Sequence, residues 1–194
     1  MNVAIIKYNA GNTASVANAL RRLGVEATVT DDADELRSAE KVIFPGVGEA
    51  SSAMAYLRER SLDKVINGLT QPVLGICLGM QLMCSFSEEN DTRGLGILPN
   101  RVLRFAPGSL KVPHTGWNRI SKLNSPLFEG VAEHSYFYFV HGFYVEASAD
   151  TTAAAEYGLE FSAAISRDNF QAVQFHPEKS GDAGEKILKN FLSL

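Results

Sequence analysis

The sequence has little cysteine, and the two cysteines it has do not form a metal-binding pattern. Of its 194 residues only Cys77 and Cys84 are cysteine, without the Cys-x-x-Cys spacing of structural zinc sites. On one helix their seven-residue separation would place the Cα atoms roughly 10 Å apart, too far for a disulfide. We therefore predict neither a disulfide nor a metal site.

Long apolar runs and dense basic runs are also missing. No apolar run approaches the roughly 18 residues that cross a bilayer. The N-terminal apolar stretch is too short for a signal-peptide core and has no basic residues before it. With 18 Lys+Arg against 22 Asp+Glu the net charge is -4, and no basic cluster indicates a nucleic-acid or anionic-membrane partner. We expect a cytoplasmic protein that binds neither nucleic acid nor membrane.

The composition itself is typical of a globular protein. Hydrophobic residues make up 45% of the chain and charged residues 21%, which excludes a disordered protein. A chain of 194 residues suits one domain of ordinary size. We predict a single domain over residues 1–194.

The order of predicted elements indicates an α/β fold. Short apolar strands are predicted at 3–7, 27–29, 42–44 and 73–76, with helical patterns between them. Such strands predict a mostly parallel central sheet with helices on both faces. Six further strand-like segments lie at 101–105, 116–120, 136–141, 152–157, 163–167 and 170–175. They predict an antiparallel extension and a return to the main sheet, before a last helix over 184–192.

The motif Gly75-Ile76-Cys77-Leu78-Gly79 lies where the fourth strand runs into a helix. It is the nucleophile-elbow pattern with cysteine in place of serine, in which small residues let strand and helix approach closely. A helix N-terminus beside the sulfur favours the reactive thiolate. The alternative is a buried cysteine at a strand end. Cys84, predicted in mid-helix beside Met83 and Phe86, is interpreted as a core residue.

The segment Phe175-His176-Pro177-Glu178 could supply the other groups that a cysteine nucleophile needs. His176 can act as the base, and Glu178 can accept a hydrogen bond from its second ring nitrogen and fix its tautomer. Alone, the segment is more typical of a surface turn. Its combination with the cysteine elbow indicates a catalytic site with a cysteine nucleophile.

Backbone groups that could bind an oxyanion follow the third strand, in Pro45-Gly46-Val47-Gly48. Acyl transfer needs N–H groups aimed at the developing charge, and the Leu78 N–H is the natural second donor. A plain strand-end turn is the alternative. His114 and His134 have no ligand partners at suitable spacing and are interpreted as structural or surface residues, and His141 as a hydrogen-bonded structural one.

Together, Gly75-Ile76-Cys77-Leu78-Gly79-Met80-Gln81 and His176-Pro177-Glu178 resemble the class I, triad-type glutamine amidotransferases, along the whole chain. Finer matches resemble the branch of that family that serves histidine biosynthesis. They are Pro45-Gly46-Val47-Gly48, Pro113-His114-Thr115-Gly116-Trp117-Asn118, Tyr138-Phe139-Val140-His141 and the segment 174–181.

The resemblance implies a cofactor-free glutaminase. Cys77 would attack the side-chain amide of L-glutamine to form a glutamyl thioester, His176 would protonate ammonia and later activate water, and Glu178 would orient His176. The backbone N–H groups of Gly48 and Leu78 would stabilise the oxyanion.

Further residues are implied to bind the substrate. These are Gly46, Gln81, Glu89, Gly142 and Phe143. Gln81 lies one helical turn after Cys77 and on the same face. Glu89 could equally belong to a solvated helix end. Gly142 and Phe143 depart from the family, which more often has Ser or Thr and then Tyr at these positions.

The resemblance also implies a partner: a (β/α)8-barrel cyclase that forms a heterodimer with this chain and receives ammonia through a path between them. Its predicted contacts are Asn12, Trp117, Asn118, Tyr138 and Lys179. Trp117, the only tryptophan, fits a core position equally well. We expect slow turnover without the partner, which would act through a peptide flip at 46–48.

Three other functions stay open. The first is a partner-independent hydrolase of γ-glutamyl peptides, and the second is a scaffold or regulatory subunit without catalysis. The third is an amidotransferase subunit of pyridoxal phosphate or anthranilate synthesis.

Overall fold

The computed structural model describes residues 1–106, 108 and 110–194, and it is built around a seven-stranded sheet. The helices are α1 (Thr13–Arg22), α2 (Ala33–Ser38), α3 (Ala50–Glu59), α4 (Leu62–Asn67), α5 (Leu78–Met83) and α6 (Gly181–Ser193). The strands are β1 (Val3–Ile6), β2 (Ala27–Thr30), β3 (Lys41–Phe44), β4 (Val73–Ile76), β5 (Cys84–Ser87), β6 (Thr92–Arg93), β7 (Leu98–Arg104), β8 (His114–Arg119), β9 (Tyr136–His141), β10 (Phe143–Val145), β11 (Thr151–Glu156), β12 (Glu160–Arg167) and β13 (Phe170–Val173).

The central sheet has the order β11-β12-β13-β4-β3-β1-β2. The five strands from β13 to β2 are parallel, and β11 and β12 continue the sheet in antiparallel fashion. The predicted α/β fold, with its return of the chain to the main sheet at β13, is confirmed.

Helices cover both faces of this sheet, because alternate residues of its strands point to opposite sides. On one face Ala4 and Ile6 of β1 join a core with side chains of α2, α3, α4 and α5. On the other face Val3 and Ile5 pack with side chains of α1 and α6.

Two smaller sheets carry the predicted extension, which is antiparallel except for the parallel pair of β5 and β7. One has the order β10-β7-β5-β6 and the other pairs β8 with β9. The prediction that Cys84 lies in mid-helix is wrong, because α5 ends at Met83 and Cys84 begins β5, where it pairs with Leu98 of β7. Cys84 is nevertheless fully buried, in agreement with its interpretation as a core residue. Both cysteines are free.

The parallel strands bring three chain segments to one edge of the sheet. Cys77 directly follows β4, the segment from Gln174 to Glu178 follows the neighbouring β13, and Pro45 follows β3 on the other side. Carboxyl ends of parallel strands are where α/β folds place their sites. Among the described residues, no helix has the length and apolar character needed to cross a membrane.

Candidate active site

Cys77 occupies a strained backbone position between β4 and α5. Its φ of 52° and ψ of -105° lie in a region that side chains other than glycine rarely adopt. A Cβ atom on Gly79 would lie 1.8 Å from the carbonyl oxygen of Phe44, so only glycine lets α5 approach β3 this closely. This is the sharp strand-to-helix turn that the motif predicts.

His176 and Glu178 form a buried pair beside this turn. The Nδ1 atom of His176 lies 2.7 Å from Oε1 of Glu178, and both side chains are inaccessible to solvent. The same Oε1 accepts a hydrogen bond from Nδ2 of Asn12 at 2.5 Å. Since the carboxylate can only accept, Nδ1 of His176 carries the proton and Nε2 remains for Cys77.

The charges around His176 favour its protonated form. Burial by itself lowers the pKa of His176, but the neighbouring Cys77 sulfur and then Glu178 outweigh it, and the pKa rises to about 10. A protonated His176 beside the sulfur favours the thiolate form of Cys77, which is the form that attacks a substrate.

A cleft of about 240 Å³ opens in front of the sulfur. This volume suits a ligand of amino-acid size. Its walls come from Val47, Gly48, Cys77, Leu78, Gln81, Glu89, Pro113, Val140, His141, Gly142 and Phe143. Eight residues are predicted to act as the nucleophile, to bind the oxyanion or to bind the substrate, and the structure places seven of them around this cleft. Gly46, the eighth, does not line the cleft and packs against Tyr8.

Gln81 lines the cleft, and its amide nitrogen is bound within the protein. Its Nε2 donates to the carbonyl oxygen of Phe143 at 3.1 Å and to Oε1 of Gln174 at 3.0 Å. Both of its N–H groups are therefore used within the protein. Gln81 can contact a ligand as an acceptor, which suits an ammonium group.

Glu89 lies across the cleft, at the N-terminus of α3. Its Oε2 accepts a hydrogen bond from the Ala50 N–H at 2.8 Å. Partial burial, together with the nearby charge of Glu49, raises the pKa of this carboxyl above its ordinary value. Glu89 is thus a second acceptor that lines the cleft, partly buried at the start of a short 3-10 helix over Glu89–Asp91.

The backbone groups predicted to bind the oxyanion lie in a turn whose hydrogen bonds are made within the protein. The Leu78 N–H donates to the carbonyl oxygen of Gly46 at 3.3 Å. The hydroxyl group of Tyr8, which is buried, donates to the carbonyl oxygen of Pro45 at 2.6 Å. Gly48 has a φ of 144°, so this turn uses a conformation that glycine permits. The Leu78 N–H becomes available to a substrate only if the Gly46 carbonyl group turns away.

A chain of neutral histidines supports the far wall of the cleft. His141 donates through Nδ1 to the carbonyl oxygen of Phe143 at 2.6 Å, and its Nε2 lies 3.0 Å from Nδ1 of His114. Burial lowers the pKa of His114 to about 4 and that of His141 to about 3. Both rings are therefore uncharged at neutral pH, and His141 is the hydrogen-bonded structural residue that the sequence predicts.

Most of the predicted partner contacts form one exposed patch beside the site. Trp117 is 55% exposed, which excludes its alternative interpretation as a core residue. Its ring meets that of Tyr138 edge-on at 6.1 Å, and Nζ of Lys179 lies 6.0 Å from the Tyr138 ring. Asn118 lies on the same strand as Trp117 and donates to the carbonyl oxygen of Glu156. Asn12 is directed instead at Glu178.

Two site residues are not marked by the sequence motifs. Gln174 donates to Cys77 and Tyr8 holds the Pro45 carbonyl group. Gln174 directly follows the apolar segment Phe170-Gln171-Ala172-Val173, and this position could have indicated a role for it, because a buried amide needs hydrogen-bond partners. Nothing local distinguishes Tyr8 from any other strand-end tyrosine.

Comparison with known proteins agrees with this geometry. The family model described as glutamine amidotransferase class-I matches residues 4–194. The chain is 59% identical over 196 residues to the imidazole glycerol phosphate synthase subunit HisH of Bacteroides fragilis, with all of both chains covered. It is 47% identical to the protein of the same name from Haemophilus influenzae, covering 99% of this chain and 97% of the relative.

A solved crystal structure described as a glutamine amidotransferase has the same fold. It superposes with a TM-score of 0.77 at 20% identity, covering 100% of this chain and 98% of the other. The match of fold, of nearly the whole sequence and of the cysteine elbow leads to one conclusion. The chain belongs to the class I glutamine amidotransferase family.

Proposed function

We propose that this chain is the glutaminase subunit of an imidazole glycerol phosphate synthase. It hydrolyses L-glutamine to glutamate and ammonia without a cofactor, and residues 1–194 act as one amidotransferase domain. The observation that carries the proposal is the strained Cys77 elbow beside the buried His176–Glu178 pair, at a cleft of amino-acid size. The full-length identity to relatives named as this subunit supports the assignment to histidine biosynthesis. Free cysteines fit the reducing cytoplasm.

Acylation begins with attack of the Cys77 thiolate on the side-chain amide carbon of glutamine. The carbon becomes tetrahedral and its oxygen takes the negative charge, which backbone N–H groups of Leu78 and Gly48 stabilise. His176 donates its Nε2 proton to the amide nitrogen, the carbon–nitrogen bond breaks, and ammonia leaves. A glutamyl thioester on Cys77 remains.

Hydrolysis of the thioester uses the same groups in reverse order. The now neutral His176 takes a proton from water at Nε2, and the hydroxide attacks the thioester carbon. Collapse of the second tetrahedral intermediate expels the Cys77 thiolate and releases glutamate. Glu178 holds Nδ1–H of His176 throughout and keeps the ring in the orientation that both steps need.

The amino-acid end of glutamine is recognised by acceptors. Gln81 and Glu89 both line the cleft, and the acceptor oxygens of the Gln81 amide and the Glu89 carboxylate suit the α-ammonium group. Backbone of Gly142 and Phe143 lines the same region, so recognition through the main chain tolerates the absence of the hydroxyl groups that the family more often has there.

The acceptor of ammonia is a (β/α)8-barrel cyclase in a heterodimer, which uses it to form imidazole glycerol phosphate and AICAR. The exposed patch of Trp117, Tyr138 and Lys179 supports this docking position, since Tyr138 also accepts the His176 backbone N–H at 2.9 Å. An aromatic anchor beside the site is typical of an interface hot spot. Ammonia released at Cys77 then passes directly to the partner.

The partner also switches the site on. The Leu78 N–H is engaged by the Gly46 carbonyl group, so the isolated chain lacks one of its two oxyanion donors. Docking of the liganded cyclase turns the backbone at 46–48 and frees this donor. We expect the isolated chain to hydrolyse glutamine at least about 100-fold more slowly, the effect of one missing oxyanion donor.

The test is glutamate release from glutamine, with and without the cyclase and its nucleotide ligand. Activity should rise with the liganded cyclase and disappear in Cys77→Ala. Cys84→Ala is the matched control, because Cys84 is buried in the core away from the cleft and should leave activity unchanged.

Other outcomes favour the other functions. Fast hydrolysis of γ-glutamyl peptides that ignores the cyclase would indicate a partner-independent hydrolase. No glutamate under any condition would indicate a scaffold or a different acceptor. Activity that survives Cys77→Ala would overturn the assigned nucleophile.

A further inference from the structure

Gln174 is a buried amide in contact with the Cys77 sulfur. Its Nε2 lies 3.6 Å from Sγ of Cys77, within hydrogen-bond distance for sulfur, and the residue is completely inaccessible to solvent. The catalytic steps described above do not use it.

Strand pairing fixes the position of Gln174 relative to Cys77. In the parallel pair of β13 and β4, Val173 lies opposite Ile76, so the next residues, Gln174 and Cys77, are neighbours across the ladder. The Cys77 N–H donates to the Val173 carbonyl oxygen at 2.8 Å, and the Gln174 N–H donates to Ala163 at 2.8 Å. Both backbones are therefore held at the point where the side chains meet.

The hydrogen-bond network also fixes which end of the Gln174 amide faces the sulfur. The carbonyl oxygen of Phe143 can only accept, so the atom of Gln81 that meets it is Nε2. This Nε2 also meets Gln174, which must present its Oε1 there. The NH₂ group of Gln174 is consequently the end directed at Cys77.

We propose that Gln174 is a further catalytic-site residue of this glutaminase, whose side-chain amide donates a hydrogen bond that stabilises the Cys77 thiolate. The Val140 carbonyl oxygen, 3.8 Å from Sγ, can accept from a thiol but offers nothing to a thiolate. The Gln174 amide can donate, so it stabilises the charged form that attacks the substrate. Gln81 acts as a positioning residue, since it holds the Gln174 amide in this orientation.

This inference rests on the proposed function only for the role of Cys77, and its test separates the two. The variant is Gln174→Met, which keeps the length of the side chain and removes the donor. The rate at which iodoacetamide alkylates Cys77 is measured by peptide mass spectrometry across pH. The midpoint of this profile should move up by about 1 pH unit, the effect of one hydrogen bond to a charged group.

Catalysis should fall in parallel. With the liganded cyclase present, kcat/KM for glutamine at neutral pH should drop about 10-fold in Gln174→Met. Gln171→Met is the matched control, because Gln171 is on the same strand and pairs with Leu74, three residues before Cys77. Its alkylation midpoint and activity should equal those of the wild type.

Each result decides between the two proposals. A wild-type chain without activity or without preferential alkylation of Cys77 would contradict the proposed function itself. A fully active wild type whose midpoint and kcat/KM are unchanged by Gln174→Met would overturn the role of Gln174.

A second measurement applies if Gln174→Met does not fold. In the Cys77→Ala chain, the side-chain amide protons of Gln174 lose the sulfur and should shift in the NMR spectrum, while those of Gln171 stay in place. Gln174 amide signals that are the same in both chains would also overturn the proposal.

Discussion

The protonation state of His176 is the residue property on which the catalytic sequence most depends. Its pKa is raised to about 10, chiefly by the Cys77 charge acting against burial. The ring should therefore stay doubly protonated from pH 7 to about pH 9, well above the ordinary range of histidine near 6.5. Nitrogen-15 NMR of the histidine side chains measures this directly.

The same experiment on Cys77→Ala tests the cause. Without the sulfur charge, the pKa of His176 should fall, because burial opposes protonation and only Glu178 is left to favour it. A ring that titrates near pH 6.5 in both chains would contradict the thiolate–imidazolium pair. In the wild type, the stability that protonation of His176 contributes is complete below pH 6.5 and is lost as the pH rises through about 10.

Tyr8 stabilises the turn after β3 through one hydroxyl group. Burial, and to a smaller extent Cys77, raises the pKa of Tyr8 well above its ordinary value, so the hydroxyl group keeps its proton and donates to Pro45. Tyr8→Phe leaves that buried carbonyl oxygen without its donor and should lower the free energy of unfolding by about 1–3 kcal/mol.

Urea unfolding gives the change for Tyr8→Phe. Tyr56→Phe is the matched control: Arg60 lies over its ring at 3.7 Å, and a phenylalanine ring keeps that contact. Equal stability of the two variants would show that the Tyr8 hydroxyl group contributes nothing.

At the scale of elements, the close approach of α5 to β3 requires glycine at one position. A Cβ atom on Gly79 would lie 1.8 Å from the backbone oxygen of Phe44, and backbone cannot move aside locally. On Gly75 the nearest atoms are the flexible side chain of Met83 at 3.0 Å and the backbone nitrogen of Met80 at 3.1 Å, which is a much milder overlap. Gly79→Ala should therefore cost about 3 kcal/mol or more and Gly75→Ala about 1 kcal/mol.

Denaturant unfolding of the two alanine variants tests this difference. If both lose the same stability, the contact between Gly79 and Phe44 does not determine the packing of α5. If both are unaffected, strand and helix approach less closely than described.

The elements that the sequence predicts well are those whose signal is local. The parallel strands β1, β3 and β4 are short apolar runs that are buried over their whole length, and the sequence places them within a residue of their observed bounds. The short strands β5, β6 and β10 were not predicted. They exist because neighbouring strands pair with them: β7 lies between β10 and β5, and β6 pairs with β5. The helix α5 ends after six residues because β5 begins there.

The residues of the candidate site also fall into those that a local motif identifies and those that only the folded chain brings together. Motifs identify Cys77, His176 and Glu178 as members of one site, and the parallel register then brings them to one edge. The contact of Asn12 with Glu178 joins residues 166 positions apart, and no local pattern marks such a pair. The hydrogen bond from the Leu78 N–H to the Gly46 carbonyl oxygen depends on the orientation of the peptide after Gly46, which sequence patterns do not encode.

At the scale of the whole molecule, two buried histidines determine how acid affects stability. The pKa of His114 falls to about 4 and that of His141 to about 3 on folding, chiefly through burial. The unfolded chain therefore binds about two more protons than the folded chain at pH 5.5. The stability that these two neutral rings contribute is complete above pH 6.5 and decreases as the pH falls, toward 4 for His114 and toward 3 for His141. The loss is up to about 1.4 kcal/mol per pH unit for each histidine.

Calorimetry at pH 5.5 in buffers of different ionisation enthalpy measures this proton uptake. Uptake of about two protons on unfolding is the expected result. No uptake would mean that one or both rings are already charged in the folded protein.

The chain has a single tryptophan, and it lies 55% exposed on the face assigned to the partner. Its fluorescence consequently reports on this face alone. A cyclase that covers Trp117 should move the emission to shorter wavelength. A fluorescence titration would therefore give the affinity of the two subunits without any label.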